Sequence, residues 1–186
     1  MSPATHLLAA GVLAGFSRLD HRGRVAVMIA GVIPDIDGLG VVPELFTRHS
    51  AHPLLWFSEF HHQLHTLLFA IIVTLVAVAF CGERLKTALF VLASFHLHLL
   101  CDLIGARGPD GDSWPIPYFA PFTQAHAWTW SGQWPLNGWQ NFAITGLLLV
   151  ATFWLAVRNG NSVVELFSTR ADERFVGTLR GRLRSA

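Results

Sequence analysis

Charge is scarce in this chain. Only 13% of its 186 residues are Asp, Glu, Lys or Arg, against about 25% in an average soluble domain. Lysine is almost missing, with Lys86 the single example. A nucleic-acid surface needs clustered cations, and the five arginines between 170 and 184 are scattered, so no nucleic-acid partner is expected. Cysteine is equally rare. Cys81 and Cys101 lie at opposite ends of neighbouring apolar segments, which excludes a disulfide framework and leaves two core-filling thiols. No Lys or Arg precedes the first apolar run, since Arg18 is the first basic residue, so the N-terminus lacks the pattern of a standard signal peptide. Internal repeats and low-complexity stretches are also absent.

Apolar residues and histidines take the place of charge. Hydrophobic residues make up 52% of the chain and histidine occurs ten times; mean hydropathy is +0.45. Residues 64–82 hold no charged side chain over 19 positions, close to the ~20 apolar residues that cross a ~30 Å bilayer core. Residues 85–104 form a second apolar segment, interrupted by His96, His98 and Asp102, and 141–157 a third. Two weaker segments precede them. Residues 4–16 are apolar but short, and 25–42 are broken by Pro34, Asp35 and Asp37. Pro34 removes a donor and disfavours helix at Ile33, so this segment reads as a helix running into a non-helical Pro-Asp-Ile-Asp-Gly turn. The expected fold is all-α, a polytopic membrane helical bundle of about five segments with an outer aromatic-rich loop. Residues 1–157 would form a membrane-embedded domain, and 158–186 a cytoplasmic basic tail, amphipathic or partly disordered.

Counting basic residues orients this topology. The loops 18–24 and 83–87 and the tail 158–186 hold eleven of the 13 Lys and Arg; 1–3, 43–60 and 105–140 hold only Arg48 and Arg107. The positive-inside rule puts the first set in the cytoplasm, with the N-terminus outside and the C-terminus inside.

Nine of the ten histidines then gather on or near the outer side, His21 being the exception. Ionisable residues inside membrane segments are costly and generally face a cavity or partner helix. His61 and His65 are spaced i, i+4, as are His98 and Asp102, which predicts a shared helix face for each pair. Asp35 and Asp37, two apart, would point the same way in an extended turn. Imidazole with carboxylate suits zinc, manganese, iron or nickel. The candidate ligands are His6, Asp35, Asp37, His61, His65, His98 and Asp102, enough for one or two divalent ions, with zinc or manganese favoured. Glu59 and Asp102 are the catalytic candidates, Glu59 as a general base. Simpler readings stand beside these. His96 lies about 240° round its helix from Asp102 and reads as a packing residue; His49, His52 and His62 as interfacial; Asp102 as a partner of Arg107; Asp110 and Asp112 as turn residues. The tryptophans between 105 and 140 form either a headgroup-level belt or a lid over a lipid-facing pocket.

The order Thr5-His6, Ile33-Pro34-Asp35-Ile36-Asp37, the cluster from His61 to Thr66, His98-Leu99-Leu100-Cys101-Asp102, a glycine-containing turn and Trp114-Pro115 resembles the inner-membrane-associated metal-dependent hydrolases often labelled LexA-binding. The likeness covers roughly 4–120 of this chain. That family usually shows His-Arg-x-x-Thr-His where this chain has "HHQLHT", so either His61 or His62 takes the first role; the spacing favours His61 with His65. A fainter likeness is to the zinc phospholipase C and P1 nuclease group, whose order His6, Asp35 or Asp37, His65, His98 with Asp102, and His126 follow, without a final His-x-x-x-Glu. These resemblances imply metal binding and hydrolysis; with the histidines at the outer membrane–water boundary, the expected function is a membrane-bound metal-dependent hydrolase acting at the outer face, on a phosphoester of an amphiphilic substrate, with membrane lipid as its partner. Two other classes fit the same residues: a metal or proton transporter, and a non-catalytic membrane interaction protein.

Overall fold

Local sequence signals start and stop each helix. In the computed structural model, which describes residues 1–108, 111–123 and 125–184, α1 runs Pro3–Ser17. Ser2 caps it by accepting from Thr5 N, and Pro3 sits in the first turn, where a missing N–H costs nothing. The helix stops at Arg18, in the left-handed region at φ 53°. Asp20 caps α2, His21–Ala30, by accepting from Gly23 N. Pro34 then blocks a regular α-helix, and a 3-10 helix, Ile33–Gly40, follows. Short helices α3, Val41–Thr47, and α4, Trp56–Phe60, follow it. Thr66 caps α5, Leu67–Phe80, through Phe69 N. The long helices are α6, Arg84–Gly105, and α7, Trp139–Asn159. A second 3-10 turn, Val163–Leu166, leads into α8, Thr169–Arg184. Among the described residues there is no strand, only the single bridges Ile116 with Trp128 and Arg107 with Pro135.

α1 packs between α2, α6 and α7, and α5 lies on α6. Small residues let α1 and α2 approach. A Cβ on Gly31 would stand 2.4 Å from Ala10 Cβ and 2.8 Å from Ser94 Oγ, so only glycine fits there. One apolar core joins Ala14, Val27, Met28 and Val91. A second joins Ala70, Phe95, Leu99 and Ile116. Tyr118 stacks on Trp128 at 4.0 Å. Asp110 lies outside the described residues.

Five spans are not what the helix lengths give. α6 and α7 are long and apolar enough to cross a bilayer; His21–Ala30 with Ile33–Thr47, bent by 45°, is a third if the pair counts as one span. α1 has 15 residues and α5 has 14, about 22 and 21 Å at 1.5 Å per residue, short of the ~30 Å core. The 64–82 run is shorter as a helix than as an apolar string because Thr66 caps it and Leu64 to Thr66 stay non-helical. The 25–42 segment turns where expected, but into a 3-10 helix rather than an extended turn.

At the end of the bundle opposite Asp102, Glu165 anchors the last segments. It is buried, accepts twice from Arg24 (Nε at 2.6 Å, Nη2 at 2.7 Å) and lies 3.1 Å from His21 Nδ1. Arg180 Nε donates to Val157 O across α7 and α8.

Candidate metal centre

Three elements bring the site together. α1 supplies His6, the 3-10 helix supplies Asp35, and α6 supplies His98 and Asp102. One ligand atom from each of these four lies within 4.8 Å of all the others. The i, i+4 spacing on α6 works as predicted: His98 Nε2 lies 3.1 Å from Asp102 Oδ2. Asp102 is the hub. Its Oδ1 lies 3.1 Å from His6 Nε2, its Oδ2 3.4 Å from His65 Nε2, and the Met1 ammonium also reaches Oδ1. The rings of His6 and His98 sit 3.9 Å apart.

Backbone contacts set the histidine orientations. His98 Nδ1 donates to Gly31 O at 2.9 Å. In the neutral ring this leaves Nε2 bare and aimed at Asp35, Asp102 and His65, the arrangement expected of a ligand held by an outer partner. Gly31 therefore serves twice, through its missing side chain and its carbonyl. Neither role carries a side-chain signal, so sequence reading passed it over.

His65 borders the four-residue group, 3.1 Å from His98 Nε2 and 3.9 Å from Asp35 Oδ1. His61 stands further out. Its Nδ1 donates to Asp37 Oδ1 at 3.0 Å, and Asp37 Oδ2 accepts from Leu64 N at 3.2 Å. Asp37 thus holds the histidine turn rather than the central group. Two expectations are corrected here. His61 and His65 do not share a helix face, because His61 ends α4 with extended backbone and His62 adopts φ 80°. Asp35 and Asp37 lie in a 3-10 helix of 3.0 residues per turn rather than an extended turn; Asp35 faces His98 and Asp37 faces His61, and the two flank His65, at Nε2 (3.9 Å) and Nδ1 (3.8 Å) respectively.

His62 is the unexpected member. Both of its ring nitrogens are buried without a hydrogen-bond partner among the described residues. Burial, with His65 and His61 adding to it, pushes its imidazole down to about 3. Its ring stands 4.5 Å from that of His65 and 5.0 Å from Trp114.

The remaining polar candidates go elsewhere. Glu59 is exposed on α4 and makes no side-chain hydrogen bond or ion pair among the described residues; Phe57, two positions earlier, takes the inward face and stacks on His61 at 4.5 Å. His96 uses both nitrogens, donating to Leu92 O and accepting from the Tyr118 hydroxyl at 2.7 Å. Arg107 donates to Ser131 O and does not meet Asp102. His126, His49 and His52 are exposed.

The four-residue group suits a cation. Within it, Asp35 Oδ2 and His6 Nδ1 are buried without a hydrogen-bond partner among the described residues, and buried polar atoms left this way are uncommon. Two carboxylates face each other there, an arrangement that a divalent ion would relieve. Beside the group lies a cavity of about 290 Å³. Asp35, Asp102, His61 and His62 line it together with Leu39, Phe57, Trp114 and Leu136. Trp114, read from the sequence as part of a belt or lid, is a wall of this cavity.

A helical bundle with membrane-length helices and a buried histidine–aspartate group at one end defines a helical membrane protein with a candidate metal centre. The chain matches the model of the family described as YdjM inner membrane protein over residues 1–170, and it belongs to that family. No curated protein and no solved structure matches it.

Proposed function

We propose that this protein is a metal-dependent hydrolase of the inner membrane that cleaves a phosphoester of an amphiphilic substrate at the outer face. One observation carries this reading: His6, Asp35, His98 and Asp102 converge within 4.8 Å, beside a cavity whose lining joins imidazole and carboxylate groups to apolar side chains. These four side chains would hold one divalent ion, zinc or manganese by ligand type, whose chemistry there would be to lower the pKa of a bound water. The protein's residues do the rest. Gly31 O keeps His98 in the tautomer that presents Nε2. Asp102 ties His6 and His98 to one carboxylate. His61, oriented by Asp37, lines the cavity and is the side chain best supported for passing a proton to the leaving group. Glu59, expected as a general base, is exposed and does not line this cavity. Leu39, Phe57, Trp114 and Leu136 would hold the substrate's apolar part. The basic-residue count supports an orientation with this site outside and the C-terminus in the cytoplasm.

The test is metal analysis of purified protein together with turnover of a panel of lipid phosphates. Activity should require divalent metal, fall on chelation, and vanish in Asp35→Asn and Asp102→Asn while the fold persists. A metal-loaded protein that leaves the panel untouched yet moves metal or protons across sealed vesicles would replace hydrolysis by transport. α5 supports the hydrolase reading, since its Thr74 hydroxyl is spent on Ala70 O and the helix otherwise offers only apolar side chains.

A further inference from the structure

A second cavity runs along the side of the bundle, and none of the metal centre's histidines lines it. It is a groove of about 430 Å³ between α2 and α5. Its walls are apolar for most of their length: Val25, Ile29 and Ile33 on one side, Ile72, Val76 and Phe80 on the other. Ala26 and Ala77 leave the gap between them, being too small to close it. The groove opens outwards, because Ile72 is 46% exposed, Val76 54% and Phe80 72%. In a membrane protein, what meets such a face is lipid. From Phe69 to Cys81 the groove follows twelve residues of α5, about 18 Å, comparable with the ~15 Å depth of one leaflet of a ~30 Å core.

Charge is confined to one end. His21 and Arg22 line the groove there, beside Cys81. His21 Nδ1 is engaged with Glu165. Arg22 is exposed and makes no hydrogen bond or ion pair among the described residues. Asp20, two positions before it, caps α2 through Gly23 N and forms no ion pair with Arg22. An uncommitted guanidinium at the mouth of an apolar slot of leaflet depth matches a molecule with one anionic head and an apolar tail.

We propose that the α2–α5 groove binds one anionic phospholipid, its acyl chain along Ile29, Ile72 and Val76 and its phosphate on Arg22. Arg22 discriminates by head group; the groove itself takes acyl chains without regard to charge. On the orientation proposed above, this lipid belongs to the cytoplasmic leaflet, opposite the candidate metal centre, and its binding does not depend on hydrolysis.

Native mass spectrometry of the full chain in detergent tests this, with dioleoyl phosphatidylglycerol and dioleoyl phosphatidylcholine supplied in equal amounts. The wild type should retain one phosphatidylglycerol with a preference of about fivefold, or ~1 kcal/mol. Arg22→Gln should bring the two lipids to parity without lowering phosphatidylcholine retention. Ala77→Phe, which fills the groove, should lower retention of both. If Ala77→Phe fails to fold by circular dichroism, Ile72→Gln on the exposed wall takes its place with the same expectation. Equal retention by the wild type would overturn the proposal. So would a preference that survives Arg22→Gln, or a second copy of the chain found in the groove by cross-linking through Val76→Cys on its exposed wall.

Discussion

Replacing Asp102 with asparagine probes the centre with little change in shape. Each of its oxygens faces imidazole nitrogen, Oδ1 at 3.1 Å from His6 and Oδ2 at 3.1 Å from His98. The amide keeps one acceptor, turns the other into a donor, and removes the charge that balances a divalent ion. Loss of a supporting partner at a metal site typically costs 10–100-fold in affinity, roughly; Asp102 is a direct ligand in the proposed centre, so about a hundredfold is a low expectation. Linkage converts this into stability. With free metal at about 100 times Kd, binding stabilises the folded state by ~2.7 kcal/mol. A hundredfold loss of affinity brings the same concentration down to Kd, where RT ln 2 leaves about 0.4 kcal/mol. For a chain of this size 1 kcal/mol moves Tm by about 2–4 °C. Chelation should therefore lower the wild-type Tm by roughly 5–10 °C and the Asp102→Asn Tm by about 1 °C. The assay is thermal unfolding in detergent with and without chelator, beside metal content by mass spectrometry. A wild-type Tm indifferent to chelation, or equal metal content in both proteins, would refute the reasoning and leave the four side chains as a hydrogen-bonded ionic network.

Removing His65 should lower bound metal far more than removing His96, since His65 Nε2 faces His98 and Asp102 while His96 is spent on Leu92 O and Tyr118; metal content of the two alanine variants decides it. Gly31→Ala drives a methyl to 2.4 Å from Ala10 Cβ; overpacking of this kind costs about 1–3 kcal/mol, and chemical unfolding should show it together with weakened metal retention as Gly31 O shifts off His98. Glu165→Ala strands Arg24 and His21, and breaking a buried pair costs roughly 3–5 kcal/mol; with Arg24 18% exposed the low end applies, and limited proteolysis should release 163–184 sooner than in the wild type. Burial raises the Asp172 carboxyl above its ordinary value even with Ser162 donating to it. The folded state then binds more protons than the unfolded one from pH 3.8 upwards, so this contribution weakens as pH rises through the window. Proteolysis of the tail at pH 4.5 and 7 should show that difference, and Asp172→Asn should flatten it.

How much of this was legible in the sequence divides along physical lines. Spacing on a regular helix reads directly: His98 and Asp102 sit one turn apart on α6 and meet as expected, because the helix fixes their geometry without reference to anything else. The ends of α6 and α7 were equally open, since long apolar runs flanked by Arg84 and Arg158 leave little freedom in where a helix stops. Irregular backbone was not. "HHQLHT" satisfies helical spacing on paper, yet Thr66 is a better cap than an interior residue and accepts from Phe69 N, so the helix begins after the histidines. That single capping choice removes the His61–His65 face and costs α5 the length of a clear span. The consequence for chemistry is specific. A helical His61 would have stood beside His65 in the ligand cluster. In the turn it is handed to Asp37 instead, and Asp35 alone from that 3-10 helix joins the group. The seven candidate ligands thus separate into four that converge, His65 at their edge, and an Asp37–His61 pair beside the cavity. One ion at the four-residue group, with His61 and Asp37 free to orient substrate and carry a proton, follows more directly from this separation than two ions sharing all seven.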